Sequence, residues 1–146
     1  MNIKIIKSEE EIKKVIPLFQ KVFAEPPHND IWSTETAFKC LSRIYNHEGQ
    51  EYCLYAEEDK EVVGLLFSQI EICPTGNYLY VYFTGVAETA RKKGVGTMLL
   101  KKLEEVAKKN NIVKIDLMAN KKGSGYNFWQ KRGLKQTDYI HMHKKI

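Results

Sequence analysis

Between Val86 and Thr97 a strand-like run gives way to Arg91-Lys92-Lys93-Gly94-Val95-Gly96-Thr97 and then directly to an amphipathic helix. A strand, a glycine loop and a helix in immediate succession restrict the chain to folds in which a helix crosses back over a sheet. Gly94 and Gly96 lack a Cβ, so the backbone there can take positive φ and approach a ligand closely, with the N–H groups of the first helical turn pointing outward. Those donors, the positive end of the helix and the adjacent cations Arg91, Lys92 and Lys93 favour an anion such as a pyrophosphate.

Either side of this loop the hydrophobic periodicity alternates between the two regular types. Asn2 to Lys7 alternates like a strand, and Ser8 with Glu9, Glu10 and Glu11 starts a helix whose apolar positions are Ile12, Val15, Ile16, Phe19, Val22 and Phe23. Pro17 removes a backbone donor and is predicted to kink or split that helix. After Glu25-Pro26-Pro27-His28-Asn29-Asp30 a second helix begins at Ser33 or Thr34 and ends near Asn46 to Gly49. Strands over Glu51–Glu57, Glu61–Ile72 and Tyr78–Val86 form an antiparallel meander. The glycine loop, a helix from Val95, a strand from Ile112 to Met118, a short helix from Tyr126 to Arg132 capped by Gly133, and a last strand from Leu134 to Met142 complete the order β-α-α-β-β-β-α-β-α-β. The chain is therefore read as α/β of the α+β kind, a twisted mixed sheet, mostly antiparallel, with about four helices. The crossover makes the strands that flank the glycine loop parallel neighbours.

Composition narrows the function classes. The 146 residues suit one domain, 1–146, with 43% hydrophobic and 28% charged residues and no low-complexity run. The N-terminal residues resemble neither a signal nor a transit peptide, and no apolar stretch approaches membrane-spanning length, which implies a cytoplasmic protein without a membrane partner. Three cysteines, Cys40, Cys53 and Cys73, without CxxC spacing imply free thiols rather than disulfides or zinc. The net charge of +5 comes from 23 Lys and Arg spread among 18 acids, and no RNA-binding signature accompanies it, so nucleic acid is not the expected partner. His141 and His143 share a strand face but lack a third ligand nearby, so no metal is expected.

Gly94 and Gly96 could also mark a flexible helix entry with no ligand. A Walker loop is excluded, since no GxxxxGK[ST] string occurs. A dinucleotide fingerprint begins well with Gly94-Val95-Gly96 and has Asp116 near the spacing of a ribose-binding acid, but Leu99 occupies the third glycine position. The loop is also too long, and the remaining 50 or so residues cannot build the second half of that fold.

The pattern R/Q-x-x-G-x-G/A after a strand ending in Val, met here by Val86, Arg91, Gly94 and Gly96, resembles the signature of the GCN5-related N-acetyltransferases (GNAT). Phe128-Trp129-Gln130-Lys131-Arg132-Gly133-Leu134 is similar to that family's second motif, F-Y-E-K-x-G-F, so the likeness runs from about Tyr78 to Leu134. The resemblance implies the acyl-CoA N-acyltransferase fold and acetyl-CoA as co-substrate. Its pyrophosphate would lie on the amides of Arg91, Lys92, Lys93, Gly94, Val95, Gly96 and Thr97. Its pantetheine would pair like an extra strand with the backbone of Thr84, Gly85 and Val86. Asn120, two residues early for the family position, is a further candidate for the cofactor chain.

For catalysis the resemblance implies a Tyr that protonates the departing thiolate, but this chain has Trp129 there, and an indole has no transferable proton. Tyr126, about one helical turn earlier, is the substitute candidate, the alternative being release assisted by water or a backbone amide. Glu71 at the end of the third strand is the candidate base, with Asp30, Glu25 and His28 as competitors. The Glu25–Trp32 loop, with its acids, His28 and Trp32, suits a cationic amine, Trp32 being equally a core residue, and Tyr78, Tyr80 and Tyr82 alternate on one strand face, where they either line the cleft or fill it. The function so read is N-acetyl transfer to a primary amine of a small molecule or peptide. The alternative is a noncatalytic acyl-CoA-binding or sensing domain, and both a monomer and a homodimer remain open.

Overall fold

The computed structural model describes every residue except Gly49. Helix α1, Glu9–Ala24, starts where the Ser8 hydroxyl accepts from the Glu11 amide and the Glu11 carboxylate in turn accepts from the Lys7 amide at 2.6 Å. It is one continuous 16-residue helix, so the split foreseen at Pro17 does not occur. Pro17 lies on the exposed side, as does Lys13, whose carbonyl loses its helical donor, and water can satisfy it there. Helix α2, Thr34–Asn46, is capped by the Ser33 hydroxyl, which accepts from the Thr36 amide at 3.0 Å.

Five strands, β1 (Asn2–Ile5), β2 (Cys53–Glu58), β3 (Glu61–Glu71), β4 (Tyr78–Val86) and β5 (Ile115–Leu117), form one sheet in the order β1-β2-β3-β4-β5. The first four pair antiparallel, and β5 runs parallel to β4. Between β4 and β5 the chain makes a one-turn 3-10 helix, Glu88–Ala90, and then α3, Val95–Lys109. Helices α1 and α2 cover one face of the sheet over Ile12, Phe19, Leu41, Tyr55, Leu65 and Phe67. Helix α3 covers the other over Leu54, Leu66, Leu79, Val81, Leu99 and Leu103. The central strands are therefore apolar on both faces, as layers on each side require.

A β-bulge shapes β4. Phe67 pairs with Phe83, but Ser68 pairs with Val81, leaving Tyr82 surplus. Leu79 and Val81 consequently point toward α3, while Phe83, which simple alternation would put with them, packs on the other side against Phe19 and Phe23, with ring centroids 4.9 and 5.2 Å apart. The helices sit close to the sheet at two glycines. A Cβ on Gly64 would lie 2.7 Å from Val95 Cγ1, and one on Gly85 would lie 3.0 Å from Val22 Cγ1.

The C-terminal third departs from the sequence reading. The strand foreseen over Ile112–Met118 shrinks to three residues, and helix α4, Ser124–Lys131, begins two residues before Tyr126. Gly133, at φ 90°, closes α4 with its amide on the Gln130 carbonyl. The last strand foreseen over Leu134–Met142 does not form, and Tyr139 and Met142 are 92% and 81% exposed. Its apolar face, Leu134, Ile140 and Met142, is interrupted by Gln136 and Asp138, so a strand there would bury polar groups along with apolar ones. His141 and His143, read as sharing a strand face, lie in this irregular segment.

Candidate cofactor and acceptor site

The glycine loop ends at Gly94, the N-cap of α3, in the left-handed region at φ 81°. A Cβ there would meet nothing within 4 Å, so it is the backbone conformation, not space, that calls for glycine. Lys92 also has positive φ, 64°, and helps curl the loop. The first helical bond runs from the Met98 amide to the Gly94 carbonyl at 2.9 Å. Among the described residues the amides of Lys92, Lys93, Gly94, Val95, Gly96 and Thr97 find no acceptor, which leaves six consecutive donors around one helix start. Gly96 serves differently from the sequence reading: it lies inside α3, and a Cβ on it would come 2.9 Å from Phe128 Cζ. Its smallness admits the Phe128 ring.

The cations around this cradle are not equivalent. Arg91 donates to Glu25 at the end of α1 at 2.8 Å, and its Nε reaches the Val86 carbonyl at 3.4 Å, so its side chain ties the loop to the first helix. Lys92 and Lys93 are exposed and, among the described residues, unpaired. Arg132 reaches the cradle from α4, a position the sequence reading missed. Its guanidinium lies 3.9 Å from the centroid of the Phe128 ring and donates to the Thr97 hydroxyl and the Phe128 carbonyl. The four-residue spacing of Phe128 and Arg132, which places both on one face of α4, was the available signal.

Beside the cradle, β4 and β5 pair only through Leu79–Val81 and Ile115–Leu117. Beyond Val81 the β5-side edge of Phe83, Thr84, Gly85 and Val86 has no strand partner among the described residues, which opens a gap leading to the loop. Thr84 Oγ1 at this edge is shielded from solvent and, among the described residues, has no hydrogen-bond partner. An unfilled main-chain edge, an orphaned hydroxyl and a helix start with free amides fit an extended thioester chain ending in a diphosphate.

Helix α4 borders both the cradle and a second space. Phe128 and Arg132 reach the cradle, and Tyr126, Trp129 and Arg132 line an open cleft of about 1470 Å³ that also exposes Tyr78, Tyr80 and Asp116. The Tyr126 hydroxyl accepts from Gln130 at 3.0 Å and lies 3.4 Å from Gln136 Oε1, and Trp129 is buried. The Asn120 side-chain oxygen accepts from the Lys122 amide at 2.9 Å, so it stabilises the turn into α4. Glu71 pairs across β3–β4 with Tyr78, and its carboxylate accepts from Gln69 at 3.0 Å and from the bulged Tyr82 hydroxyl at 3.4 Å. Burial, then the nearby Glu71 charge, raises the Tyr82 hydroxyl above its ordinary pKa, and burial with Asp116 does the same for Tyr80. The rings of Tyr80 and Tyr82 meet at 4.8 Å.

The loop between α1 and α2 divides its candidates. The exposed ring of His28 rests on Phe23 at 5.0 Å, and Trp32 packs on Phe19 at 5.0 Å with its Nε1 buried and, among the described residues, unpartnered, so Trp32 belongs to the core edge and His28 covers it from the solvent side. Pro27 reaches across to α4, where a Cβ on Gly123 would come 3.3 Å from it. Glu25 is engaged with Arg91, and Asp30 is exposed.

Four helices on a five-stranded mixed sheet that opens between its parallel strands constitute the acyl-CoA N-acyltransferase fold. The Acetyltransferase (GNAT) family model matches residues 16–134, and the chain belongs to that family. Solved structures with the same fold include the aminoglycoside 6'-N-acetyltransferase AAC(6')-IG of Acinetobacter haemolyticus, 21% identical, with 100% of this chain and 99% of that one covered and a TM-score of 0.77. An aminoglycoside acetyltransferase from an uncultured soil metagenomic sample, in complex with sisomicin, is 17% identical over 99% of this chain and 95% of its own, with a TM-score of 0.79. An acetyltransferase of Trypanosoma brucei is 13% identical over 99% of both chains, with a TM-score of 0.71. No curated protein sequence matches the chain. No helix is long and apolar enough to cross a membrane among the described residues.

Proposed function

We propose that this protein transfers the acetyl group of acetyl-CoA directly to a primary amine of a small molecule or peptide. The observation that carries the reading is the run of six unpartnered amides, Lys92 to Thr97, adjoining the open edge of β4. The amides and Lys92 and Lys93 bind and neutralise the diphosphate, and the Thr84–Val86 backbone orients the pantetheine as a strand would. When bound, acetyl-CoA supplies an activated acyl carbon and a thiolate leaving group. In the transfer the amine nitrogen bonds the acyl carbon, the carbon–sulfur bond breaks, one proton leaves the nitrogen and one is taken up by sulfur.

Glu71, within reach of the Tyr82 hydroxyl, receives the amine proton, directly or through water, and Tyr126 donates to the thiolate. Tyr80, Tyr82 and Glu71 present aromatic faces and a carboxylate to the acceptor, a surface suited to a cation. Lys114 Nζ, 4.5 Å above the Tyr78 ring, shows such a contact on the same strand. Two of the solved neighbours act on aminoglycosides, which is consistent with a polycationic acceptor. Asn120 keeps its amide nitrogen for the cofactor chain while its oxygen holds the turn.

One observation favours a second reading, a noncatalytic acyl-CoA sensor: Trp129 stands where a proton-donating Tyr was expected. Titration of acetyl-CoA by calorimetry, followed by a thiol-release assay over a panel of amines, separates the two. Binding with release for at least one amine supports transfer, and binding without release for any amine supports the sensor. Absence of binding removes both.

A further inference from the structure

The Thr97 hydroxyl, three residues into the α3 N-terminus, accepts from two atoms of one guanidinium, Arg132 Nε at 2.9 Å and Arg132 Nη2. A hydroxyl has two acceptor lone pairs and one proton. With both acceptor directions facing Arg132, the proton points the other way, and no acceptor for it exists among the described residues. The guanidinium is itself held: its flat face lies against the Phe128 ring at 3.9 Å, its Nη1 donates to the Phe128 carbonyl at 3.1 Å, and the ring rests against Gly96.

We propose that Arg132 is a positioning residue for the co-substrate: by saturating the acceptor side of Thr97 it fixes that hydroxyl as an outward donor to a diphosphate oxygen on the cradle. The inference rests on the reading of the cradle as a diphosphate site. It assigns the second motif a task at the first: α4 sets the direction of a hydrogen bond at the start of α3. The donor is oriented before the ligand arrives, so binding costs it little rotational freedom. A lysine at position 132 would keep the charge but lose the planar fork, the stacking and the two-point grip on one oxygen.

The test is a double-mutant cycle read by calorimetric Kd for acetyl-CoA and by steady-state kinetics. Thr97→Val removes the hydrogen bond and should weaken binding about tenfold, whereas Arg132→Gln frees the hydroxyl to turn among its staggered positions and should weaken it about threefold; the double variant should match Thr97→Val at about tenfold rather than reach about thirtyfold. Arg132→Lys should behave like Arg132→Gln, and Thr97→Ser should stay within about twofold of the unaltered protein. In an active system the KM for acetyl-CoA rises, while kcat at saturation and the KM for the amine stay unchanged. Additive effects in the double variant, restoration of affinity by Arg132→Lys, or Arg132 variants that melt earlier yet bind normally would each overturn the proposal. If the unaltered protein binds and Gly96→Asp abolishes binding while Arg132→Gln binds normally, the cradle stands and the role of Arg132 falls. If the unaltered protein does not bind, the cradle falls first.

Discussion

Gly64 lies in the middle of β3 beneath the first residue of α3. A Cβ there would be 2.7 Å from Val95 Cγ1, 3.1 Å from Leu99 Cδ1 and 3.4 Å from Ala56 Cβ. Ordinary carbon contacts lie at about 3.5–4.0 Å, so Gly64→Ala forces α3 and β3 apart by about 1 Å or drives Val95 off its rotamer. Overpacking of this kind costs about 1–3 kcal/mol, and with three short contacts this site falls at about 2–3 kcal/mol; the reduced freedom of the unfolded chain returns about 0.5–1 kcal/mol, leaving a net loss of about 1–2.5 kcal/mol. For a chain of this size that lowers Tm by about 2–10 °C, readable by calorimetry or urea titration. Val95 is 1% exposed, and Val95→Ala alone removes two buried methyl groups for about 2 kcal/mol. Combined with Gly64→Ala it also removes the offending Cγ1, so the pair should cost at least 1 kcal/mol less than the sum, on the order of a contact coupling. Because Val95 also supplies one of the cradle amides, Gly64→Ala should weaken acetyl-CoA binding as well, with partial recovery in the double variant. An unchanged Tm for Gly64→Ala, or strict additivity, would show that the helix is not held against the sheet at this point.

Other perturbations test the site and its frame. Tyr126→Phe should lower kcat on the order of a hundredfold with the acetyl-CoA Kd unchanged, and an unchanged kcat would assign thiolate release to water or a backbone amide. The Glu57 carboxyl is held down to about 2 by its bonds to Lys14 and Lys4, so the stability it adds is present above its unfolded value near 4.5 and is lost as pH falls toward 2. The stability gap between the unaltered protein and Glu57→Gln should accordingly be constant above about pH 5 and close in that window, and a gap persisting at pH 2 would refute the assignment. Burial pushes the Cys53 thiol up to about 12, whereas the Thr75 hydroxyl beside Cys73 lowers its value. Iodoacetamide at mildly alkaline pH should therefore modify Cys73 first and Cys53 only on unfolding, as peptide mapping would show.

The parts of the molecule that were legible in the sequence are those governed by local rules. Ser8 and Ser33 cap their helices through their own hydroxyls, Gly133 takes the positive φ that ends α4, and β4 spans the foreseen Tyr78–Val86. The loop at Gly94 was visible because one backbone conformation demanded it. What escaped depends on contacts between distant residues. The fit of Gly64 under Val95, of Gly85 under Val22 and of Gly96 under Phe128 are relations between elements that no local pattern encodes. The grip of Arg132 on Thr97 spans 35 residues. The bulge at Tyr82 hid because Tyr78, Tyr80 and Tyr82 alternate cleanly, and only the partner strand reveals the surplus residue. The terminal strand differs for the opposite reason: Leu134–Met142 alternates only weakly, because Gln136 and Asp138 interrupt its apolar face.

That surplus residue sets the parity of one short segment. Val81 and Phe83 stand two positions apart yet face opposite sides because Tyr82 lies unpaired between them. Taking Tyr82 out of the chain would make them immediate neighbours, and plain alternation would keep Phe83 on Phe19 and Val81 toward α3, with the same partners on β3. What a one-residue deletion here removes is the added bend, together with the hydroxyl that donates to Glu71, so the arm that carries Thr84 and Val86 would arrive at the gap with the same edge but from a straighter strand.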